Sequence, residues 1–305
     1  MHAHAKRLVG LSLAPLLSVC LLVGCGGGPR PDDGRASNQS MREQERRARQ
    51  VADSWEGSAA AVAWREGYYP MADAVRIPES GWRGAADEQA YENKNFVLRG
   101  DLPTAASATG LGTVDWGNGV TLTRPLWDAR RAYQSLALNH GDGPRLTVTG
   151  AGLGNMRIRT SRGTATVPAW LFTLEGYDTP LKRVAVTPST LPDSPIKGAE
   201  EGAAGGLWRV ARLAGTAKDG RSLTVRATSG SCDKGPVVNV LETDENVVLY
   251  ASVAGARKGP CTAGMTEQNV KVQLRKPLGD RILLDTLTSR PVPYGEPAGP
   301  SPSWT

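Results

Sequence analysis

The chain has 305 residues, with 36 Lys and Arg against 30 Asp and Glu and a formal net charge of +6. Three His and four Cys in that length exclude a multi-histidine metal centre and a disulfide-dense scaffold. The basic excess is too mild and too dispersed for a nucleic-acid footprint.

Met1 to Arg7 carries Lys6 and Arg7 and no acid, and Leu8 to Val23 is apolar apart from Ser12 and Ser18, with Gly10 and Pro15 inside it. Charge, apolar run and small residues in that order make an export signal. The run is short and interrupted against the roughly 20 apolar residues of a membrane span. It ends in Leu22-Val23-Gly24-Cys25, followed by Gly26-Gly27-Gly28-Pro29. Leu22 to Cys25 resembles a bacterial lipobox. The resemblance implies that 1–24 is a lipoprotein signal peptide, cleaved before Cys25. It also implies that the Cys25 thiol takes a diacylglyceryl group and its nitrogen an acyl chain such as palmitate. Each buried CH₂ contributes about 0.8 kcal/mol, so several chains hold where one binds only marginally. The implied address is the outer face of the cytoplasmic membrane.

Removing the 24 leader residues from 305 leaves 281, enough for one large or two ordinary domains. The charge falls to +4 because Lys6 and Arg7 leave, and His2, His4 and Cys20 leave with them. Cys232 and Cys261 then remain as a pair near Gly235-Pro236 and Gly259-Pro260, and in an oxidising compartment one disulfide is expected.

Residues 25–40 are rich in Gly, Pro, Asp and Ser without an apolar period and read as a flexible tether. Ser40-Met41-Arg42-Glu43 has the form of a capping box. Ala48, Val51, Ala52, Trp55, Ala59, Val62 and Ala63 then share one helical stripe, which Gly57 weakens and Gly67 with Pro70 ends. From Asn95 the pattern turns to short strands at Phe96–Arg99, Leu111–Trp116 and Val120–Thr123, with Gly117-Asn118-Gly119 as a hairpin turn. A second short helix is predicted from Pro125 to about Leu138. Strands resume at Arg145–Thr149, Met156–Thr160, Thr164–Leu174 and Leu181–Thr187. These elements make 41–187 an α+β domain. Residues 188–206, with their prolines, glycines and Glu200-Glu201, read as a linker.

Within 207–290, strands are predicted at Leu207–Leu213, Ser222–Thr228, Val237–Thr243, Val247–Val253, Asn269–Leu274 and Arg281–Asp285. Their near-regular spacing predicts a small antiparallel sandwich or barrel. Residues 291–305 read as a frayed tail. The expected class is mainly β, with an N-terminal helix, a second short helix and two β-rich domains.

The runs Arg157-Ile158-Arg159-Thr160-Ser161-Arg162-Gly163-Thr164-Ala165-Thr166-Val167-Pro168-Ala169-Trp170 and Val272-Gln273-Leu274-Arg275-Lys276-Pro277-Leu278-Gly279-Asp280-Arg281 resemble segments of a poorly characterised group of actinobacterial lipoproteins. That resemblance implies the same address and brings no activity or catalytic residues with it.

Chemistry is sparse. His140 lies in a helix-ending Asn139-His140-Gly141-Asp142-Gly143 turn, and no Gly-x-Ser-x-Gly elbow offers a nucleophile. Gly150-Ala151-Gly152-Leu153-Gly154 and Gly202 to Gly206 read as turns, since no Lys-Ser/Thr follows to complete a phosphate loop. Asp115, Asp128, Glu175 and Asp178 are acids without a defined pairing, and Glu242, Asp244 and Glu245 read as a solvated turn, at best a weak cation site. Eight Trp stand against two Phe. Trp55, Trp64 and Trp170 read as core. Trp82, Trp116, Trp127 and Trp208 sit at element edges as candidate binding surfaces for a sugar or partner. The sequence therefore favours a membrane-anchored, non-enzymatic binding module of the cell envelope, facing a wall polymer or envelope protein and needing no cofactor or metal. An envelope hydrolase using paired carboxylates and a transporter's solute-binding lipoprotein stay open beside it.

Overall fold

The computed structural model describes residues 31–104, 110–117, 119–200, 206–255 and 264–295, with side chains of the first helix from residue 38 onward. Among them the chain is mainly β, with four helices and two β-rich bodies. Residues 1–30, which hold the leader and Cys25, and residues 296–305 lie outside the described residues, as do Asn118 and Cys261.

The first body is built on one long hairpin, β5 (Leu146–Thr160) and β6 (Gly163–Leu174), paired from Thr160↔Gly163 up to Val148↔Leu174. Alternation drives it: Met156, Ile158 and Thr160 point inward from β5, and Ala165 and Val167 from β6. The far edge of β6 is shared. β3 (Leu111–Gly117) meets it at Asp115↔Thr166, and β7 (Leu181–Val184) takes over at Ala169–Phe172. β1 (Val75–Arg76), β2 (Phe96–Leu98) and β4 (Val120–Pro125) complete a seven-stranded sheet that curls into half a barrel. Helices α3 (Ala85–Glu92) and α4 (Ala129–Gln134) flank it.

The second body is a sandwich. β8 (Val210–Thr216), β9 (Ser222–Gly230) and β12 (Met265–Gln273) form one sheet. β10 (Pro236–Glu242), β11 (Asn246–Val253), β13 (Ile282–Asp285) and β14 (Arg290–Pro291) form the other. Pairing is antiparallel except between β11 and β13, which run parallel from Asn246↔Ile282 to Leu249↔Asp285. The parallel pair arises because the chain crosses from the sheet of β12 to the sheet of β13 before re-entering.

Residues Asn246 to Ala251 of β11 are all buried, so the strand is covered on both faces. One cover is the opposing sheet. The other is helix α1 (Pro31–Trp55), whose Ala48, Val51, Ala52 and Trp55 are at most 1% exposed and belong to the sandwich core. The helix that the sequence joined to 41–187 thus packs on the second body. It also begins at Pro31, ahead of the Ser40 box, so the expected tether is helical from there. It ends at Trp55 because Gly57 takes φ 64°, and Ser58 then caps α2 (Ala59–Glu66) by accepting from the Ala61 N–H at 3.1 Å.

Ser289, in the turn between β13 and β14 at φ 57°, collects the helix end and the supposed linker. Trp55 Nε1 donates to its carbonyl at 2.9 Å and Ser194 Oγ to the same oxygen at 2.6 Å. Arg47 donates to Ser289 Oγ at 2.9 Å and to the Lys197 carbonyl. Residues 188–200 are therefore a strap laid on the sandwich, where Leu191, Ile196 and Ala199 pack against its core. The tail corrects in the same way: Leu213 N–H donates to the Pro293 carbonyl and Gly295 N–H to the Leu213 carbonyl, pinning 291–295.

Three local expectations also change. The helix expected over 125–138 shrinks to α4 because Pro125 still belongs to β4, and Asp128 caps α4 through the Arg131 N–H at 2.6 Å. Gly150 to Gly154 is strand inside β5, and a Cβ on Gly154 would lie 2.5 Å from the Leu171 side chain. α3 was not expected; Asp87 and Glu88 in its first turn suit a helix N-terminus.

Replacing Trp55 by Ala should destabilise the chain by about 3–5 kcal/mol through the cavity left between α1 and β11. Trp55→Phe should cost about 1 kcal/mol, because Ser194 still donates to the same carbonyl. Urea unfolding followed by far-UV circular dichroism separates the two.

Candidate functional site

The two bodies meet along residues 66–71. Gly67 stops α2 where a Cβ would sit 2.4 Å from the Tyr69 ring. Tyr68 then turns into the half-barrel and Tyr69 into the sandwich, where it stacks on Trp64 with centroids 4.3 Å apart and planes 12° apart. Tyr69 Oη donates to the Thr190 carbonyl at 2.9 Å, tying the strap to the same seam. The turn between β5 and β6 is clamped from both sides: Met71 N–H donates to Arg159 O at 2.8 Å and Ser161 N–H to Tyr69 O at 2.9 Å. Arg162 reaches the Glu66 carbonyl at 2.8 Å.

A cleft of about 180 Å³ opens beside this seam. Its floor is apolar: Trp64, Met71, Leu213, Leu278 and Leu283. Its polar lining comes from Arg159, Thr160 and Ser161 on one side and Thr216, Lys218 and Arg281 on the other, and no carboxylate or histidine lines it among the described residues. Arg281 is fixed. It donates to Glu242 at 2.9 Å and to the carbonyls of Lys276 and Pro277 at 2.8 and 2.9 Å. Arg159 and Lys218 are exposed and make no ion pair among the described residues. Ser161 Oγ is buried with no hydrogen-bond partner among the described residues.

Behind Arg281 lies the acid cluster. Glu242 has a side chain only 5% exposed and meets Arg281 at 2.9 Å and Arg275 at 3.3 Å. Burial alone would raise this carboxyl. The N–H groups of Arg275 and Lys276 and the two guanidiniums outweigh it and bring the pKa from 4.5 to about 2. Asp244 pairs with Lys276 at 3.0 Å and Glu245 with Arg65 at 2.7 Å. The turn read as solvated is thus an ion-pair network bracing β10, β12 and β13. A cation site here would have to displace four basic partners, Arg65, Arg275, Lys276 and Arg281.

The other sequence candidates are dispersed. Trp82 packs on Tyr91 at 4.9 Å. Trp116 donates to Thr160 Oγ1 at 3.0 Å beneath Arg162. Trp127 lies against both Arg131 and Arg183, at 4.5 and 4.9 Å. Trp208 bridges to Ala251. All four are half-buried and engaged within the chain. Trp64, which the sequence assigned to core, is buried in the sandwich core at 4% exposed and also borders the cleft. Asp115 accepts from Gly117 N–H at 2.7 Å, Asp128 is a helix cap, Glu175 pairs with Arg99 at 2.7 Å and Asp178 lies in the β6–β7 connection, so the structure does not gather them. His140 is exposed in its turn.

Two buried charges went unread. Arg183 is 6% exposed, donates to Ser135 Oγ and the Val184 carbonyl at 3.1 Å each, and burial pulls its pKa down to about 10. A period of two through Leu181 and Arg183 was the available signal. Asp285 is 1% exposed and accepts from Val210 N–H at 3.2 Å and Thr288 N–H at 2.9 Å, and burial raises its pKa to about 6. Comparison of the chain with protein families, with curated proteins and with solved structures finds no match.

Glu242 and Asp285 set opposite pH responses. Glu242 has its folded pKa depressed, so its contribution is present above about pH 4.5 and lost as pH falls toward about 2. Asp285 has its pKa raised, so its contribution is complete below about pH 3.8 and lost as pH rises through about 6. Glu242→Gln should cost about 2 kcal/mol at pH 7. The gap to wild type should close as pH approaches about 2, measured by urea midpoints across that range.

Proposed function

We propose that this chain is an exported bacterial lipoprotein, held on the outer face of the cytoplasmic membrane through acyl chains on Cys25. In this reading its folded part is a non-enzymatic binding module of the envelope. The address rests on the cation, apolar and small-residue order that ends in Leu22-Val23-Gly24-Cys25. The binding role rests on the seam cleft, where an apolar floor meets the cations Arg159, Lys218 and Arg281. The six peptide steps from Cys25 to Pro31 reach at most about 20 Å. The anchor would therefore hold α1, and the sandwich it covers, close to the lipid.

The same reading includes a Cys232–Cys261 disulfide. Met265↔Gly230 pairs the ends of β12 and β9, and Ser231 N–H donates to Gly264 O at 2.9 Å, which puts Cys232 one residue past that end of the ladder and residue 264, three after Cys261 in sequence, at the same end. A loop of this length stabilises by roughly 3–4 kcal/mol on the chain-entropy model.

A fatty-acid probe fed to expressing cells should label the wild type and leave Cys25→Ala unlabelled; label persisting on the variant removes the anchor. Non-reducing peptide mapping of exported protein should recover the Cys232 and Cys261 peptides joined, and two alkylated thiols would contradict the pairing. Turnover of a wall glycan, peptide or ester that disappears when a single carboxylate is changed would replace the binding reading with the hydrolase.

A further inference from the structure

We propose that the seam cleft is a binding site for a small amphipathic anion, a phosphate or carboxylate carried on a compact apolar group such as a single ring. The proposal deepens the binding-module reading and rests on it.

Both walls are fixed before any ligand arrives. Arg159 and Thr160 at the end of β5 and Ser161 in the turn after it are pinned to Tyr69 and Met71 by backbone hydrogen bonds. Across the cleft, Leu278 N–H donates to Gly220 O at 2.8 Å, joining the β8–β9 turn to the β12–β13 connection. A preformed cleft of this kind costs little to reorganise on binding. Its position at the junction of two bodies is a common one for small-molecule sites.

The lining selects the charge. Arg281 is already neutralised by Glu242 and serves as a rigid wall. Arg159 and Lys218 have no such partner among the described residues, so the mouth carries uncompensated positive charge. The nearest acid in sequence, Asp219, accepts from Arg221 N–H at 3.0 Å and does not line the cleft. Ser161 lines the cleft and its Oγ, buried behind the wall, has no hydrogen-bond partner among the described residues, so rotation of that side chain would offer an unused donor to an anionic oxygen.

The floor selects the body of the ligand. Inorganic phosphate would meet the cations and make no use of the apolar floor, whereas a compact apolar group would also contact the rims of Met71, Leu278 and Leu283 that border the cleft. The volume of about 180 Å³ is close to the roughly 150 Å³ of an engineered apolar cavity that takes benzene. Neutral ligands forgo the cations, and cationic ones are repelled.

The test uses the full lipidated chain in detergent, titrated with phenyl phosphate, benzoate, inorganic phosphate and phenol and followed by calorimetry and tryptophan fluorescence. Phenyl phosphate or benzoate should bind saturably, and whichever binds more tightly identifies the anion. Phenol and inorganic phosphate should bind at least tenfold more weakly. Lys218→Glu and Arg159→Glu should each weaken binding at least fivefold at an unchanged melting temperature, Lys218→Arg should restore most of it, and added salt should weaken the wild type. Leu278→Trp, which fills the floor, should abolish it. The proposal is overturned if none of the probes binds, if phenol matches the anions, or if charge reversal leaves the affinity unchanged. Release of phenol from phenyl phosphate would instead overturn the non-enzymatic reading while leaving the site in place, so the two failures are told apart.

Discussion

The arrangement of this chain follows from one strand that is buried on both faces. In a two-sheet sandwich each strand normally turns one face to water and alternates accordingly. β11 instead presents Asn246-Val247-Val248-Leu249-Tyr250-Ala251 with every position buried, so its outer side chains need an apolar cover. The stripe of α1 supplies it. Asn246 Nδ2 reaches the Ala52 carbonyl at 3.3 Å, which leaves a polar marker inside an otherwise apolar contact. Because the helix comes first in the chain and β11 late, this contact joins the two ends of the sequence and forces residues 56–71 to run back from the sandwich to the half-barrel. That return path is the seam, and the cleft lies beside it.

Charge is handled differently in the two bodies. The sandwich buries Glu242 with Arg281 and backbone donors around it, and removing one partner there would strand the other. The half-barrel buries Arg183 with a hydroxyl, a carbonyl and the face of Trp127, without a carboxylate among the described residues. A guanidinium tolerates this because it is weakly hydrated and stacks on aromatic rings. Around the cleft the same residue types are left at the surface, which is why the charge there acts outward.

Much of the strand content was legible because alternation is a local signal. β3, β4, β6, β9, β10 and β11 all fall within a few residues of where the pattern of apolar positions places them. What the pattern could not carry was partnership. A helical stripe states that Ala48, Val51, Ala52 and Trp55 share a face and says nothing about which body receives it. Gly150 to Gly154 carries a turn-like composition, yet β6 lies alongside it and the paired hydrogen bonds override local preference. The parallel entry of β13 depends on a crossing between sheets that leaves no trace in composition. The cleft was illegible for the same reason: its lining comes from Trp64, residues 159–161 and residues 213–283, which no sequence spacing brings together. The edge tryptophans illustrate the converse, since proximity to Gly, Pro or Arg marks an element end without marking exposure.

The turn at Ser289 is where the first helix, the strap and the sandwich are joined. Trp55 and Arg47 from α1, Ser194 from the strap and the β13–β14 turn converge on this one buried residue. Asp285, four residues before it, holds the start of β8 through Val210 and accepts within the same turn from Thr288. α1 is therefore joined through Ser289 to the β13–β14 turn of one sheet, and Asp285 joins that turn to β8 of the other. With α1 packed on the sandwich and residues 66–71 clamping the β5–β6 turn, the half-barrel is joined to the first helix through the seam that borders the cleft.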